Sequence, residues 1–206
     1  MPERPVRRLS TVRQSNSWIF TEMLISALIS LTASFVLAVD AVALAADPNA
    51  ALACNINAVL SCGTVGTSWQ ASLFGFPNAF LGLVAEPVVI TIAVASLGGV
   101  RFPRWFMFSA QVVYSLGLIF AYWLFFQAYF VIGALCPWCL LVTLSTTLVF
   151  TALTHVNIRD ANLYLPERAG QALQRFVRSD LDLLVVLVWL VAIVMLIVVK
   201  YVPLMV

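Results

Sequence analysis

Charge is scarce in this sequence. Eleven basic and nine acidic residues are spread over 206 positions, a charged share of 10% against 63% apolar, and that balance excludes an ordinary soluble domain, in which about a quarter of residues are charged. Mean hydropathy is +1.02. The net charge of +2 supplies no basic footprint for nucleic acid. Histidine occurs once, at 155. It follows Cys139 by 16 residues, about 24 Å along a helix, which excludes it as a thiol base and leaves it as a helix-end residue at the membrane interface. Long polar stretches are missing too. The longest segments between apolar runs are 47–76 and 154–180, so there is no room for a soluble domain, and no internal repeat or low-complexity tract is visible.

What is there is apolar sequence in long runs. A bilayer core of about 30 Å needs about 20 apolar residues per helical crossing, and five runs meet that requirement: 24–46, 79–97, 106–132, 137–153 and 183–202. The chain divides accordingly into a basic N-terminus (1–23), a four-helix unit (24–155) with an outer loop at 47–76, a connector (156–180) and a fifth spanning helix with the C-terminus (181–206). The first run, preceded by Arg7, Arg8 and Arg13 and followed by Ala43-Leu44-Ala45, resembles a signal peptide in its flanks. It is longer than the 7 to 15 residues of a signal core and reads as an uncleaved helix. Within 157–182, Leu173, Phe176 and Val177 suit either a surface-lying amphipathic helix or a solvated connector. The aromatics from Tyr114 to Phe130 read as lipid-facing and interfacial packing, with some placed to border a flat ligand.

Basic residues resist translocation. Arg4, Arg7, Arg8, Arg13, Arg101, Arg104, Arg159, Arg168, Arg175 and Arg178 all fall on one side of a five-span topology, and only Lys200 lies at the other. The N-terminus is therefore expected in the cytoplasm and the C-terminus outside, in a multi-pass protein of the cell membrane. All four cysteines then lie outside, where disulfides persist. Two acidic residues interrupt the runs. Glu86 follows Asn78 by eight residues, about 12 Å deeper; a hydrogen-bonded structural role is expected before a proton route. Asp40, close to the outer end of the first span, is expected in a solvated or interfacial role rather than a catalytic one.

Cys136-Pro137-Trp138-Cys139 stands where the fourth span begins. Exposed amides at a helix N-terminus favour anions, and Pro137 suits the first helical position, so Cys136 becomes the capping residue with a lowered pKa. Cys139 lies on the same face, about 4.5 Å further along the axis. That depth assigns Cys136 to exchange with protein thiols and Cys139 to a membrane-dissolved acceptor. Cys54 and Cys62, with seven residues between them, are too far apart for a rigid C-x-x-C dithiol but can pair through a flexible loop. Ile56, Val59 and Leu60 recur at helical spacing, which predicts a short helix lying on the membrane and a mobile cap over Cys136. A four-thiolate zinc site fits poorly, since zinc draws on close pairs in a reducing compartment and only one pair here is close.

Cys54-x7-Cys62, then Ser68, then Phe76-Pro77-Asn78 leading to Gly82, then Cys136-Pro-Trp-Cys139 at the head of the fourth span resemble the vitamin K epoxide reductase family over about residues 20–155, and most of all a bacterial homologue. The resemblance implies an all-α integral membrane protein: a four-helix bundle around a quinone, an outer loop capping it, and the fifth helix as an addition. It implies that Cys54 exchanges with a secreted or membrane-anchored thioredoxin-like (DsbA-like) partner, that Cys62 links transiently to Cys136, and that Cys139 meets the quinone, menaquinone or ubiquinone. Asn78 matches the family asparagine that hydrogen-bonds a quinone carbonyl, and Ser68 the family serine of the loop. The animal enzymes have a tyrosine at the second carbonyl contact, where this chain has Thr143. Many bacterial relatives carry a fused thioredoxin-like domain; here the sequence closes after the fifth run and a separate partner is implied.

The expected activity is a quinone-dependent thiol–disulfide oxidoreductase that generates disulfides in its partner. Protein dithiols sit at roughly −100 to −300 mV, so a higher-potential quinone draws electrons from them. Reduction of a quinone epoxide is a possible side activity. A Dsb-type quinone-coupled oxidase of another family places its C-x-x-C first, whereas here it comes last. A transporter of reducing equivalents calls for cysteines in opposing helices, and a disulfide-stapled scaffold for cysteines that never turn over.

Overall fold

The computed structural model describes residues 15–57, 59–179 and 181–201; the four N-terminal arginines used above for orientation lie outside them. Helix α1 (Asn16–Ala46) opens on Ser15, whose hydroxyl accepts from the Trp18 amide at 3.3 Å. It runs for 31 residues, about 46 Å at 1.5 Å per residue, longer than the run expected to span. A short helix α2 (Cys62–Gly66) and a 3-10 turn (Trp69–Ser72) follow, then α3 (Ala79–Leu97) and α4 (Arg104–Gln127). A π turn (Ala128–Ile132) extends α4 to Gly133, which takes the left-handed φ of +77° that glycine adopts without strain. After α5 (Pro137–Arg159) come α6 (Glu167–Arg178) and α7 (Leu181–Tyr201). Among the described residues, five helices are long and apolar enough to cross a membrane.

Helices α1, α3, α4 and α5 form the bundle, with α1 packed along both α3 and α5 and α4 against α5. Lipid offers no hydrophobic force to drive helices together, so close approach through small residues takes its place. Ser26, Ser30, Ser34 and Ala38 make a buried stripe along α1. Opposite, a Cβ at Gly82 would collide with the Ser34 side chain, so α3 approaches as only glycine allows. Glu86 is 3% exposed and accepts from Ser30 Oγ at 2.8 Å and Tyr114 OH at 3.1 Å, tying α1, α3 and α4 at mid-span, the structural role read from sequence. At the end away from the cysteines, Asn157 donates to Met107 O at 3.2 Å and Gln111 Oε1 at 3.0 Å.

Helix α7 lies outside this bundle and touches it at three heights. Asp182 meets His155 Nδ1 at 3.0 Å, Trp189 donates to the Tyr122 hydroxyl at 2.8 Å, and Leu196 O accepts from Tyr129 OH at 3.1 Å. Lys200 donates to Tyr129 O and sits 4.1 Å from the Tyr129 ring centre. His155 is thus a tether for α7. The 157–182 segment resolves in favour of an amphipathic helix, α6, with Val177 buried and Leu173 and Phe176 half-buried.

Candidate active site at the cysteine end of the bundle

All four cysteines converge where α1 ends and α5 begins. The loop before Cys62 is not the short helix that Ile56, Val59 and Leu60 suggested. Asn57 Oδ1 accepts from the Val59 and Leu60 amides at 2.9 and 2.8 Å, and Asn55 Oδ1 accepts from Gly63 N at 2.9 Å and Ser61 Oγ at 3.1 Å. Asparagine side chains take amides that a helix would need, and the helix starts only at Cys62, capped by Ser61 Oγ on Thr64 N at 3.2 Å. Leu60 instead forms a parallel bridge with Leu135: Leu135 N donates to Val59 O at 2.8 Å, and Ser61 N to Leu135 O at 3.0 Å. That stitch fixes the segment leading into Cys62 beside the segment leading into Cys136.

Cys54 and Cys62 are joined as a disulfide, and Cys136 and Cys139 are free thiols. Cys62 Sγ lies 3.1 Å from Cys136 Sγ. Cys136 caps α5, its sulfur accepting from Cys139 N at 3.4 Å, with Pro137 in the first turn. The hydrogen bond from the Cys139 thiol, followed by the amides of Cys139 and Trp138, lowers the Cys136 pKa against the opposing effects of burial and the Asp40 charge. A lowered pKa enlarges the thiolate fraction, the form that exchanges. Cys136 is 2% exposed, while Cys139, one turn further along α5, is half-buried.

The segment between Cys62 and α3 folds as a cap. Ser68 Oγ donates to Val65 O at 2.6 Å, fixing the turn into the 3-10 segment. Trp69 and Phe74 pack against Trp123 and Phe120 of α4, with ring centres 6.2 and 5.4 Å apart, so aromatic faces anchor the cap on the bundle. Asn78 Nδ2 donates to Gln70 O at 2.6 Å, which leaves Asn78 Oδ1 buried with no hydrogen-bond partner among the described residues. Thr143 donates to Cys139 O at 2.9 Å.

Two contacts escaped the sequence reading. Gln70 is 3% exposed and its amide approaches Gln127 Oε1 at 3.4 Å, linking the cap to α4. Asp40, half-buried near the end of α1, also brings its Oδ2 to 3.5 Å from Cys54 Sγ, a neighbour that the expected solvated or interfacial role did not include. Helical periodicity around 40 would have shown its face, but its neighbour arrives through a loop whose path the sequence does not reveal. Ligand atoms of Asp40, Cys54 and Cys62 fall within 4.8 Å of one another, yet two of them are the sulfurs of one disulfide, and it is the thiolate that ligates metals.

A disulfide held against a dithiol at one end of an all-helical membrane bundle defines a multi-pass membrane protein built for redox chemistry. The family model for the vitamin K epoxide reductase family matches residues 21–154, well over half of the 206 residues. The chain belongs to the vitamin K epoxide reductase family and is an oxidoreductase of that family, which is quinone-linked in general. The match takes in all four cysteines and stops short of α6 and α7. No curated protein matches the chain.

Proposed function

We propose that this protein generates disulfides in a secreted or membrane-anchored thioredoxin-like (DsbA-like) partner and passes the electrons through Cys54 and Cys62 to Cys136 and Cys139, and from there to a membrane quinone, menaquinone or ubiquinone. The observation that carries the reading is the 3.1 Å approach of Cys62 Sγ to Cys136 Sγ. Each exchange step needs only a thiolate within reach of a disulfide sulfur, and this contact joins the two pairs into one relay. The chain belongs at the cell membrane, with the cysteines outside and the ten arginines on the cytoplasmic side.

In this relay the partner's thiolate attacks Cys54, freeing Cys62, and the partner's second thiol then releases the partner in its oxidised form. Cys62 attacks Cys136 of an oxidised Cys136–Cys139 pair; Cys54 in turn attacks Cys62 and frees Cys136. The recorded arrangement, with the outer pair oxidised and the inner pair reduced, corresponds to the state after that transfer. The Cys139 thiol, followed by the amides at the head of α5, lowers the Cys136 pKa and enlarges its thiolate fraction, and Cys139 is the thiol assigned to the acceptor.

A quinone, when bound, supplies a two-electron, two-proton acceptor. Asn78 fits such a group: the second Nδ2 hydrogen can donate to a carbonyl, and the buried, unpartnered Oδ1 can accept from a hydroxyl of the reduced form. Thr143, spending its proton on Cys139 O, offers an acceptor oxygen only, and Ser68 acts by holding the cap.

The test supplies the purified protein with a reduced thioredoxin-like protein and a quinone and follows quinone absorbance. Loss of absorbance that disappears on replacing any of the four cysteines is expected. No loss with the intact protein, or undiminished loss after Cys139→Ala, overturns the proposal.

A further inference from the structure

We propose that Asp40 is the proton carrier for Cys54, taking its proton as the Cys54–Cys62 bond forms and returning it as the bond breaks. The inference rests on the relay reading above. Its basis is a row of reacting atoms. Asp40 Oδ2 lies 3.5 Å from Cys54 Sγ, Cys54 is bonded to Cys62, and Cys62 Sγ lies 3.1 Å from Cys136 Sγ. A carboxylate therefore stands beside the first of the three sulfurs between which exchange runs, and a helix-capping thiol is the last of them.

Burial makes a proton carrier necessary. Cys54 is 7% exposed, Cys62 3% and Cys136 2%, so water reaches these sulfurs poorly, and a change of net charge in such surroundings is costly. Asp40 is half-buried, open enough to exchange its proton with the medium. The titratable groups about it are Cys54 from the loop, Cys62 from α2, and Cys136 and Cys139 at the head of α5, which feel its charge. No basic side chain pairs with Asp40 among the described residues. A permanently ionised carboxylate there would only oppose thiolates, so its use lies in alternating between charged and neutral forms.

The step balances. With Cys62 and Cys136 joined and Cys54 a thiol, the Asp40 carboxylate accepts the Cys54 proton while the Cys54 sulfur attacks Cys62. The Cys54–Cys62 bond forms and the Cys62–Cys136 bond breaks, with its electron pair leaving on Cys136. One negative charge is present before, on Asp40, and one after, on the Cys136 thiolate. No electron enters or leaves the set. In reverse, Cys136 attacks Cys62 and the departing Cys54 sulfur takes the proton back from the Asp40 carboxyl.

The experiment isolates this exchange in the full chain carrying Cys139→Ala, without quinone or partner. Protein with the Cys54–Cys62 disulfide is jumped from acid to a series of pH values, quenched with acid at intervals and alkylated, and Cys62–Cys136 linkage is read by mass spectrometry. General base catalysis contributes about 10²- to 10⁴-fold. Asp40→Asn should slow the approach to equilibrium at neutral pH by at least about tenfold, with the deficit shrinking as pH rises through the range in which thiols ionise unaided. Asp40→Glu, scored separately, should keep the parent pH profile. Unchanged rate and profile in Asp40→Asn overturn the inference, and so does slowing by the same factor at every pH, which marks a positioning effect only. If no Cys62–Cys136 linkage forms with Asp40 intact, the relay reading itself fails and the inference falls with it.

Discussion

Leu60 and Leu135 pair through a parallel bridge, and the sulfurs of Cys62 and Cys136 that follow them stand 3.1 Å apart. Two backbone hydrogen bonds, Leu135 N to Val59 O and Ser61 N to Leu135 O, hold a loop of irregular backbone against the entry to α5. The register of this pairing, more than any side-chain contact between the cysteines, decides which loop sulfur reaches Cys136.

The bridge depends on the turn before it, which Asn57 closes by accepting two amides. Asn57→Ala leaves both without that acceptor, at about 1 to 3 kcal/mol if water does not replace it. The expected result is slower formation of the Cys62–Cys136 linkage, by about 5- to 150-fold for 1 to 3 kcal/mol, with the helical content of the protein unchanged by circular dichroism.

Cys136 is the thiol with the lowered pKa, and the hydrogen bond from the Cys139 thiol is the first cause. Cys139→Ala removes that donor, so the Cys136 pKa moves back up toward the ordinary thiol range, partly held by the remaining amides. The pH midpoint for iodoacetamide labelling of Cys136 should shift upward in the variant. The sign for stability follows: a depressed folded pKa contributes stability that is fully present above the unfolded thiol pKa and is lost as pH falls through the folded pKa. Cys139→Ala should therefore flatten the pH dependence of the melting temperature in that window.

Glu86 accepts from Ser30 and Tyr114 at the centre of the bundle. Glu86→Gln retains an acceptor oxygen and is expected to melt close to the parent protein in detergent. Glu86→Leu strands two buried donors, at about 1 to 3 kcal/mol each, and should lower the melting temperature by several degrees. Equal melting of the two variants would show that the hydrogen bonds carry no weight.

The five spanning runs, the C-x-x-C at the head of a helix and the presence of one further cysteine pair are legible because each rests on local chemistry: run length against bilayer thickness, helix-end amides, proline at the first turn. What stayed hidden concerns the loop. Ile56, Val59 and Leu60 have helical spacing, but Asn55 and Asn57 capture the amides, and only the folded chain shows that competition resolved. Asp40 reads as an ordinary polar residue near a membrane surface until the loop brings Cys54 to it. The tether of α7 through Asp182, Trp189 and Tyr129 is equally invisible in sequence, since each contact joins residues far apart in the chain.

The sequence by itself determined a multi-pass helical membrane protein with four cysteines at one end, because apolar length and thiol placement are properties of the chain read in order. Tertiary structure alone set the Cys62 sulfur 3.1 Å from Cys136, the link that the family resemblance implied, and stood a carboxylate behind Cys54. Those are distances of a few ångströms between segments 74 and 14 residues apart, set by a two-residue bridge and by the packing of α1 against α5.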